Sequence, residues 1–415
     1  MAAAAELARN GVPVTVFETG RVLGGRARCI ETDGKRLDNG LHILLGAYRE
    51  TLRLIELVQD PGEPLGLLRL PLELNIHPAF RLRAARLPAP LHLYSALLRA
   101  RGLDFGDRFA AARFMAWAKY NRFRLAADTS VSDLLTAKRQ PHAVSRFLWN
   151  PLCVSALNTP PSQASAQVFL NILRDSLNGS RADSDLLLPT LDFSALFPER
   201  AARYVQAHGG SVRLGVTVDA VRQKGSAFEL TADGERFTHA ILAVSPHRAG
   251  ALLAHYTELA PIVRMIDQFV YQPIYSVYLQ YAPGSRLPFR MGGLETGYSQ
   301  WLFDRGQLCG QDGLIGVVIS AAGAHQGLAH DDLARAVHAE LVENFPGLGE
   351  PRWHQVIAEK RATFSCTPGL LRPDNATAIA GLYLAGDYTA SEYPATIESA
   401  VRSGVRAADL VLQNA

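Results

Sequence analysis

Residues 12–28 read VPVTVFETGRVLGGRAR, and this stretch decides the fold. Residues 12–18 are rich in β-branched side chains, which favour a β-strand, and they end in an acid. A strand that ends in an acid is typical of the second strand of a dinucleotide-binding βαβ unit, where the carboxylate binds a ribose. Glu18 is therefore a candidate ribose-binding residue.

The glycines that follow this strand suit a close approach of backbone to a ligand. Gly24 and Gly25 lack a Cβ, and Arg26 and Arg28 can offset phosphate charge. A glycine turn with solvated arginines is the alternative interpretation. Position by position, the segment is suited to line a phosphorylated ligand.

The residues before the strand read MAAAAELARNG and predict a helix that Gly11 closes at its C-terminus. A GxGxxG fingerprint lies about 20 residues before the ribose acid, so its last glycine falls upstream of Met1. The first strand and the glycine loop are thus absent from this sequence. Since the first strand lies inside a doubly wound sheet, its absence leaves two unpaired strand edges. We expect the native chain to extend upstream.

Composition sets broad limits on the class of protein. With 415 residues, 48% hydrophobic and 20% charged, the chain is large enough for two domains. With a net charge of +3, the protein as a whole has too weak a positive electrostatic field to attract nucleic acid. No nucleic-acid partner is expected. The four cysteines form no CxxC pair, which predicts buried thiols in a reducing compartment. Neither a metal site nor a GxSxG hydrolase motif is indicated by the residue spacings.

The C-terminal stretch GLYLAGDYTASEYPATIESAVRSG, residues 381–404, predicts a second ligand-binding segment. A short apolar strand over 382–385 is followed by Gly386 and Asp387, and then by a helix that begins near Ala395. An acid in this position suits a ribityl or ribose hydroxyl. A turn with a capping aspartate is the alternative.

Three segments together are more specific than any one of them. E-x(5)-GGRA, DNG-x-H and LAGDYTASEYPATIESAVRSG resemble the FAD-dependent amine oxidase and carotenoid desaturase superfamily. RLDNGLHILLGAYRETLRLI, GSRADSDLLLPTLDFSALFP and EKRATFSCTPGLLRP further resemble the squalene-associated desaturase-like flavoproteins, the hydroxysqualene dehydroxylases of bacterial hopanoid synthesis. The resemblance covers essentially the whole chain.

The resemblance implies an α/β fold. It consists of a Rossmann-type FAD-binding domain, with its first strand and GxGxxG loop missing, and an inserted α+β substrate domain. We expect residues 1–60, 200–250 and 370–415 in the FAD-binding domain, and 61–199 and 251–369 in the substrate domain. HAILAVSP, residues 239–246, supports this division because it predicts a buried strand that returns the chain to the cofactor domain before Pro246.

The resemblance also implies FAD as cofactor and gives roles to single residues. The residues that the resemblance places against FAD are Glu18 (ribose), Gly24, Gly25, Arg26 and Arg28 (pyrophosphate and flavin), Val218 in VRLGVTVDAV, a stretch with a strand-like pattern (adenine), Gly386 and Asp387 (ribityl or pyrophosphate), and Thr396 and Ile397 (flavin pyrimidine). The last two open a helix whose N-terminal dipole and amides favour the negative charge of reduced flavin.

The reaction implied by the resemblance is reductive dehydroxylation of hydroxysqualene to squalene, with hydride from reduced FAD. It requires a donor that protonates the leaving hydroxyl and a dry apolar tunnel. His42 is the first candidate for the polar group, positioned by Asp38 and Asn39; alternatively, this segment only shapes a turn. Tyr388 and Tyr393 are the other candidate donors.

Other interpretations stay open. Tyr275, Tyr278 and Trp301 either line the tunnel and stabilise an allylic cation through their π faces, or belong to the core. The chain is alternatively a phytoene-type polyene desaturase or an amine oxidase, or a lipid-binding protein without flavin. Feeding hydroxysqualene with reduced FAD separates the first function from the others. The physiological reductant is not indicated by the sequence.

Residues 81–124 form a basic segment. Nine arginines and one lysine stand against Asp104 and Asp107, with leucines and aromatic residues interleaved. A basic amphipathic segment lies well in an anionic bilayer interface; a solvated basic face over an ordinary core is the alternative. For a hydrophobic isoprenoid substrate, we expect a cytoplasmic protein with peripheral contact at the inner membrane face.

Overall fold

The computed structural model describes residues 1–230 and 234–414. Over these residues the α-helices are α1 (Ala2–Arg9), α2 (Arg49–Leu57), α3 (Leu91–Leu98), α4 (Phe105–Tyr120), α5 (Val131–Ala137), α6 (His142–Val144), α7 (Asn150–Leu157), α8 (Ala166–Leu177), α9 (Phe193–Leu196), α10 (Pro198–Ala207), α11 (Pro246–Leu253), α12 (Ala260–Asp267), α13 (Arg305–Cys309), α14 (His330–Asn344) and α15 (Ile397–Asn414).

Over the same residues the strands are β1 (Thr15–Glu18), β2 (Cys29–Thr32), β3 (Lys35–Asp38), β4 (Leu44–Leu45), β5 (Leu67–Leu70), β6 (Glu73–His77), β7 (Phe80–Arg83), β8 (Leu186–Pro189), β9 (Ser211–Leu214), β10 (Arg222–Lys224), β11 (Ala227–Glu229), β12 (Arg236–Phe237), β13 (Ala240–Leu242), β14 (Tyr271–Gln280), β15 (Met291–Leu294), β16 (Trp301–Asp304), β17 (Leu314–Ser320), β18 (Trp353–Phe364) and β19 (Leu382–Leu384).

The first helix ends as the sequence predicts. Gly11 has a φ of +73°, and its N–H donates to the carbonyl of Ala8 at 3.0 Å. The N–H of Val12 donates to the carbonyl of Leu7 at 3.0 Å, and both side chains pack in one apolar cluster. This pair of hydrogen bonds is a Schellman motif, in which glycine takes the left-handed position at no steric cost. The predicted closure of the helix at Gly11 is confirmed.

The cofactor-domain sheet is divided into two parallel pairs. β1 pairs with β9, and β13 pairs with β19. Within the described residues, no strand joins the two pairs. This is the arrangement that the sequence predicts for a doubly wound sheet without its interior first strand. β13 and β19 pack in one apolar cluster with α1 and α15, and β1 and β9 pack in another with α1 and α10. α1 and α15 pack so closely that a Cβ on Gly404 would lie 3.0 Å from that of Ala2.

Two local expectations need correction. Val218 does not lie in a strand, because β9 ends at Leu214 and Val218 follows in the loop beyond it. Pro246 does not end the strand, because β13 already ends at Leu242. Pro246 is the first residue of α11, where its fixed φ suits the first helical turn. Both corrections leave the strand–loop–helix order intact.

The substrate-domain segments build a seven-stranded sheet in the order β18-β14-β17-β16-β15-β6-β7. Neighbouring strands are antiparallel apart from β15 and β6, which are parallel. One large apolar cluster joins this sheet to the helices between α3 and α8 and includes Phe80, Trp149, Phe169 and Phe364. The boundaries at residues 60, 200, 250 and 370 stay a prediction.

Three of the four cysteines are buried. Burial raises the pKa of Cys29 to about 11, and that of Cys153 and Cys366 to about 12. Cys309 is partly exposed. The three buried thiols are therefore protonated at neutral pH, which makes them poor nucleophiles. In the part of the chain that the structure describes, no helix combines the length and apolarity needed to cross a bilayer.

Candidate functional site

A single cavity of about 1240 Å³ runs through the protein. One end reaches the carboxyl ends of β1 and β19, where ligands bind in open α/β sheets, and continues along β1 and β13 to α1. The other end lies among the sheet and helices of the substrate segments. A site for one drug-sized molecule has roughly 300–1,000 Å³, so this cavity has room for a cofactor and a second molecule.

Most of the predicted site residues meet at this cavity. Its lining includes Glu18, Gly24, Gly25, Arg26, His42, Val218, Gly386, Asp387, Thr396 and Ile397. Among the described residues that line it, Arg28, Asp38, Tyr388 and Tyr393 do not appear. Segments more than 350 residues apart in the sequence therefore form one surface, while four predicted residues lie behind it.

Glu18 stands at the end of β1. Its Oε1 accepts a hydrogen bond from the N–H of Gly20 at 2.7 Å, and its carbonyl accepts one from the N–H of Val216 at 3.0 Å. The first bond fixes the side chain over the turn, and the second ties the turn to the loop that carries Val218. Both predicted adenosine-side residues thus lie in the same part of the cavity, and their roles stay predictions.

The loop after Glu18 depends on Gly24. Its φ is +125°, and a Cβ there would lie 2.4 Å from the carbonyl oxygen of Ala27. Gly25 has a φ of +61° with open space at its Cβ position. Arg28 turns back and donates to the carbonyl of Gly25 at 2.6 Å. Arg28 therefore braces the turn from outside, whereas the prediction had it line the pyrophosphate and flavin.

Arg26 and Asp387 form an ion pair at the cavity wall. The Arg26 guanidinium also donates to the carbonyl of Ala362 at 2.7 Å. Burial lowers the pKa of Arg26, but the Asp387 carboxylate more than offsets this effect, so the pKa is raised and the guanidinium stays charged. The pair joins the loop after β1 to the loop after β19 and to the end of β18.

The N-terminus of α15 opens onto the cavity. Thr396 caps it, with Oγ1 accepting from the N–H of Ser399 at 3.2 Å. Glu398 is buried and accepts from the N–H groups of Glu50 and Thr51, at 3.2 and 2.9 Å. Its carboxylate thus caps α2, where a negative charge is stabilised by the helix dipole. Sequence reasoning missed Glu398, because nothing near it in the chain indicates that contact.

His42 lines the cavity. Its Nε2 is buried and has no hydrogen-bond partner among the described residues. The imidazole lies 4.7 Å from the ring of Phe193, measured between centroids. Burial lowers the pKa of His42 to about 4, so the ring is neutral near pH 7. A buried polar nitrogen without a partner is uncommon in native structures, which makes His42 a candidate functional residue.

Asp38 does not touch His42. Its Oδ1 accepts from the N–H of Phe193 at 2.7 Å, and its Oδ2 lies 3.6 Å from a guanidinium nitrogen of Arg305. Burial raises the pKa of Asp38 to about 6. Asn39 instead accepts from the N–H of Arg28 at 3.0 Å and donates to the carbonyl of Arg26 at 3.0 Å. Asp38 therefore positions His42 through Phe193, and Asn39 positions the glycine loop.

The two candidate tyrosines lie away from the cavity lining. The Tyr388 hydroxyl is fully buried without a hydrogen-bond partner among the described residues, and burial raises its pKa. The Tyr393 hydroxyl donates to Asp175, and Arg402 lies 4.8 Å from the ring centroid. Of the three predicted proton donors, His42 is the one that lines the cavity.

The far end of the cavity is apolar. Its lining there includes Leu152, Ile172, Leu173, Ile274, Met291, Trp301, Phe303 and Val318. Trp301 thus meets the prediction for a tunnel aromatic, whereas Tyr275 and Tyr278 are core residues outside the lining. The Tyr278 hydroxyl donates to the carbonyl of Asp38 at 2.7 Å, which ties the substrate sheet to the DNG segment.

The chain matches a family of flavoproteins. The model of the flavin containing amine oxidoreductase family matches residues 1–412. The chain belongs to this family. As a flavin containing amine oxidoreductase, it is an FAD-dependent oxidoreductase, and the predictions of enzyme class and cofactor are confirmed.

Similar proteins agree with this membership. A hydroxysqualene dehydroxylase of Rhodopseudomonas palustris is 30% identical over 433 residues, covering 99% of this chain and 96% of that protein. A hydroxysqualene dehydroxylase of Sinorhizobium fredii is 27% identical, covering 99% and 95%. Among solved structures, an oxidoreductase from Methanosarcina mazei matches with a TM-score of 0.74 at 15% identity, covering 99% and 97%. The last comparison confirms the fold alone.

The residues present fit FAD. Gly24 permits a tight turn that brings backbone to the cavity wall, the charged Arg26 suits phosphate, and the capped N-terminus of α15 suits a negative charge. The predicted contacts of Glu18 with ribose and of Asp387 with the ribityl or pyrophosphate group are compatible with their places in the lining. The individual contacts stay predictions.

His42 predicts how acid affects stability. Its pKa is about 4 when folded and about 6.5 when unfolded, so the unfolded chain takes up the proton first as pH falls. The stability from the neutral ring is therefore present above pH 6.5 and is lost between about pH 6.5 and 4, a loss of about 3 kcal/mol. His42→Gln should lack this loss, as measured by urea unfolding near pH 7 and near pH 4.5.

A matched control keeps this test specific. His208→Gln replaces an exposed histidine whose Nδ1 lies 2.8 Å from the carbonyl of Tyr204, and it should follow the wild-type curve. Asp38 acts in the opposite sense: its raised pKa makes stability fall as pH rises from about 4 to about 6. Because both variants keep Asp38, the difference isolates His42. An acid loss in His42→Gln equal to that of the wild type would contradict the prediction.

Proposed function

We propose that the enzyme reductively removes the hydroxyl group of hydroxysqualene, giving squalene and water, in hopanoid synthesis. The observation that carries the proposal is the continuous cavity, which joins the cofactor segments to an apolar end. An extended hydrocarbon favours such an end because its burial removes apolar surface from water. The similarity to two hydroxysqualene dehydroxylases supports the same substrate.

The reaction balances as follows. Reduced FAD, when bound, supplies a hydride with its electron pair. The new C–H bond forms at the allylic carbon, and the C–O bond breaks with its pair on oxygen. The departing hydroxyl takes one proton and leaves as water, so that hydroxysqualene and FADH2 together give squalene, FAD and water. The protein must therefore supply a polar contact to that oxygen and otherwise keep water away.

His42 provides the polar contact. Because its ring is neutral, it assists the departing hydroxyl as a hydrogen-bond donor rather than as a charged acid. Phe193 fixes the ring plane, and Asp38 fixes Phe193 through its N–H. The buried chain from Asp38 to His42 thus holds the donor in one orientation, which is what positioned acid–base groups need.

Other residues of the cavity stabilise the charges of the cofactor and of the reacting carbon. The N-terminus of α15, with Thr396 and Ile397, favours negative charge beside the pyrimidine ring. Arg26 remains cationic and favours phosphate charge. Trp301 gives the apolar end a π face toward positive charge that develops at the allylic carbon.

The test uses the purified flavoprotein, reduced with dithionite under nitrogen and incubated with hydroxysqualene. We expect squalene by gas chromatography with mass spectrometry. His42→Gln should lower turnover roughly 100-fold at unchanged flavin absorbance, the range for loss of one positioned acid–base group. His208→Gln, the same change at an exposed site, should turn over as the wild type does.

Other outcomes would overturn the proposal. Conversion of phytoene or of an amine by the oxidised enzyme, with no squalene from hydroxysqualene, would identify a desaturase or an amine oxidase. Binding of isoprenoids by a protein without flavin would identify the lipid-binding alternative. Equal turnover of His42→Gln and wild type would remove His42 from the reaction while leaving the substrate assignment standing.

A further inference from the structure

Five arginines surround a second cavity of about 510 Å³, which we call the arginine pocket. Its lining is Pro71, Arg81, Arg83, Ala84, Ala85, Arg86, Arg99 and Arg101. Glu73 pairs with two of these arginines, at 2.7 Å from Arg81 and 3.6 Å from Arg83. In the described parts of the chain, Arg86, Arg99 and Arg101 have no carboxylate within ion-pair distance. The pocket therefore has a large excess of positive charge.

The backbone holds two of these charges together. Arg81 and Arg101 lie opposite each other, joined by N–H to carbonyl bonds of 3.2 and 2.9 Å in the two directions. Like charges in directly opposed positions destabilise a strand pair. Gly102 permits the pairing, because its φ is +85° and a Cβ would lie 2.1 Å from the carbonyl of Ala79. An anion that binds between the two arginines relieves this repulsion.

Exposed large apolar side chains are concentrated in the chain segment that also supplies Arg86, Arg99 and Arg101 to the pocket. Seven of the twelve large hydrophobic residues that are exposed lie between residues 87 and 120, among the described residues. They are Leu87, Leu91, Tyr94, Leu98, Phe105, Phe109 and Tyr120. Phe105 is 78% exposed and Leu98 is 65% exposed. Exposed apolar patches of this kind mark surfaces that contact another molecule or a membrane.

Hydrogen bonds hold α3 and α4, with their exposed apolar side chains, in a fixed arrangement. Asp104 caps α4 by accepting from the N–H of Asp107 at 2.7 Å, which holds Phe105 at the exposed first turn. Arg108 donates to the carbonyls of Leu98 and Ala100, at 2.9 and 2.8 Å, and so ties α4 to the end of α3. The apolar residues of both helices and the arginine pocket thus keep a fixed relation.

The same surface adjoins the large cavity. Pro71 lines the arginine pocket, whereas Leu72, Glu73 and Leu74 line the large cavity. Adjacent residues of one segment therefore separate the two spaces. A molecule that meets the arginine pocket is close to the apolar end of the large cavity.

We propose that the arginine pocket and the exposed faces of α3 and α4 bind the surface of an anionic phospholipid bilayer, with a lipid phosphate in the pocket. Arginines form bidentate hydrogen bonds with phosphate, and leucine and phenylalanine enter the acyl boundary. An acidic protein would satisfy the arginines but gives the exposed apolar residues less favourable contacts. This inference goes beyond the proposed reaction and does not depend on it.

The test is co-sedimentation of the flavin-loaded full chain with vesicles. We expect binding to vesicles of phosphatidylcholine with phosphatidylglycerol, weak binding to phosphatidylcholine alone, and release by high salt. Arg86→Glu/Arg99→Glu should lower the partition coefficient on anionic vesicles by roughly 25-fold or more, because each surface cation contributes about fivefold. Phe105→Asp/Phe109→Asp should lower it on the same vesicles without removing any arginine.

Controls carry the same changes elsewhere on the surface. Arg264→Glu/Arg286→Glu and Leu371→Asp alter exposed residues outside the segment and should bind vesicles as the wild type does. Equal partition onto neutral and anionic vesicles, or equal losses in the test and control variants, would overturn the proposal. Binding of soluble glycerol phosphate that Arg86→Glu/Arg99→Glu abolishes, with vesicle binding unchanged, would also overturn it by identifying a soluble anion site.

Discussion

Gly24→Ala is expected to remove most of the bound flavin. A Cβ at this position would lie 2.4 Å from the carbonyl oxygen of Ala27, and the φ of +125° is unfavourable for alanine. A strained backbone position costs about 1–3 kcal/mol and overpacking adds about 1–3 kcal/mol. The loop conformation that lines the cavity is therefore lost, and flavin affinity should fall roughly 100-fold, since each 1.4 kcal/mol is about tenfold.

The measurement is flavin absorbance after dialysis, with affinity from titration of the apoprotein. Gly34→Ala is the matched control, because Gly34 also has a positive φ, of +70°, but has open space at its Cβ position and lies outside the cavity lining. It should cost about 1–2 kcal/mol of stability and leave flavin affinity unchanged. Equal flavin affinity in Gly24→Ala and wild type would show that the loop adapts to the added methyl group.

Asp38→Ala is expected to destabilise the fold by about 3–5 kcal/mol, the usual cost of leaving one member of a buried ion pair unpaired. Asp38 and Arg305 have side chains only 2% and 4% exposed. The same change removes the acceptor for the N–H of Phe193, which is held at 2.7 Å. Urea unfolding at neutral pH measures the loss as a shift of the transition midpoint.

Two further variants make this test specific. Asp60→Ala breaks the ion pair with Arg203 at 2.6 Å, where both side chains are about half exposed, and should cost at most about 1 kcal/mol. Asp38→Ala/Arg305→Met removes both buried charges and should recover part of the lost stability. A loss in Asp38→Ala no larger than in Asp60→Ala would show that the buried pair contributes little to the fold.

The position of His42 illustrates what a motif predicts and what it leaves open. DNG-x-H made His42 a candidate site residue, and the structure places His42 in the lining of the cavity. The same motif suggested that Asp38 positions His42, without indicating the contact. The carboxylate binds the N–H of Phe193, 155 residues away in the chain. A contact at that separation depends on how α9 packs, which local sequence does not determine.

The candidate proton donors also show that local sequence does not determine which groups a side chain contacts. Tyr388 and Tyr393 follow the GD turn and are close to Asp387 in sequence, so proximity alone made them candidates. The tertiary structure turns the Tyr388 hydroxyl into the core and pairs that of Tyr393 with Asp175. Glu398 is the reverse case: it lies in the C-terminal motif without a predicted role, yet it fixes α15 to α2 through the N–H groups of Glu50 and Thr51.

The sequence by itself determined the local elements: the helix closed by Gly11, the strand that ends at Glu18, the glycine turn after it and the helix that opens at Ile397. These follow from backbone preferences and from hydrogen bonds within a few residues. Only the tertiary structure decided which side chains share the cavity, which lie behind it, and that five arginines meet beside α3. Burial and charge contacts of this kind join residues from distant segments, so their partners are set by the packing of the whole chain.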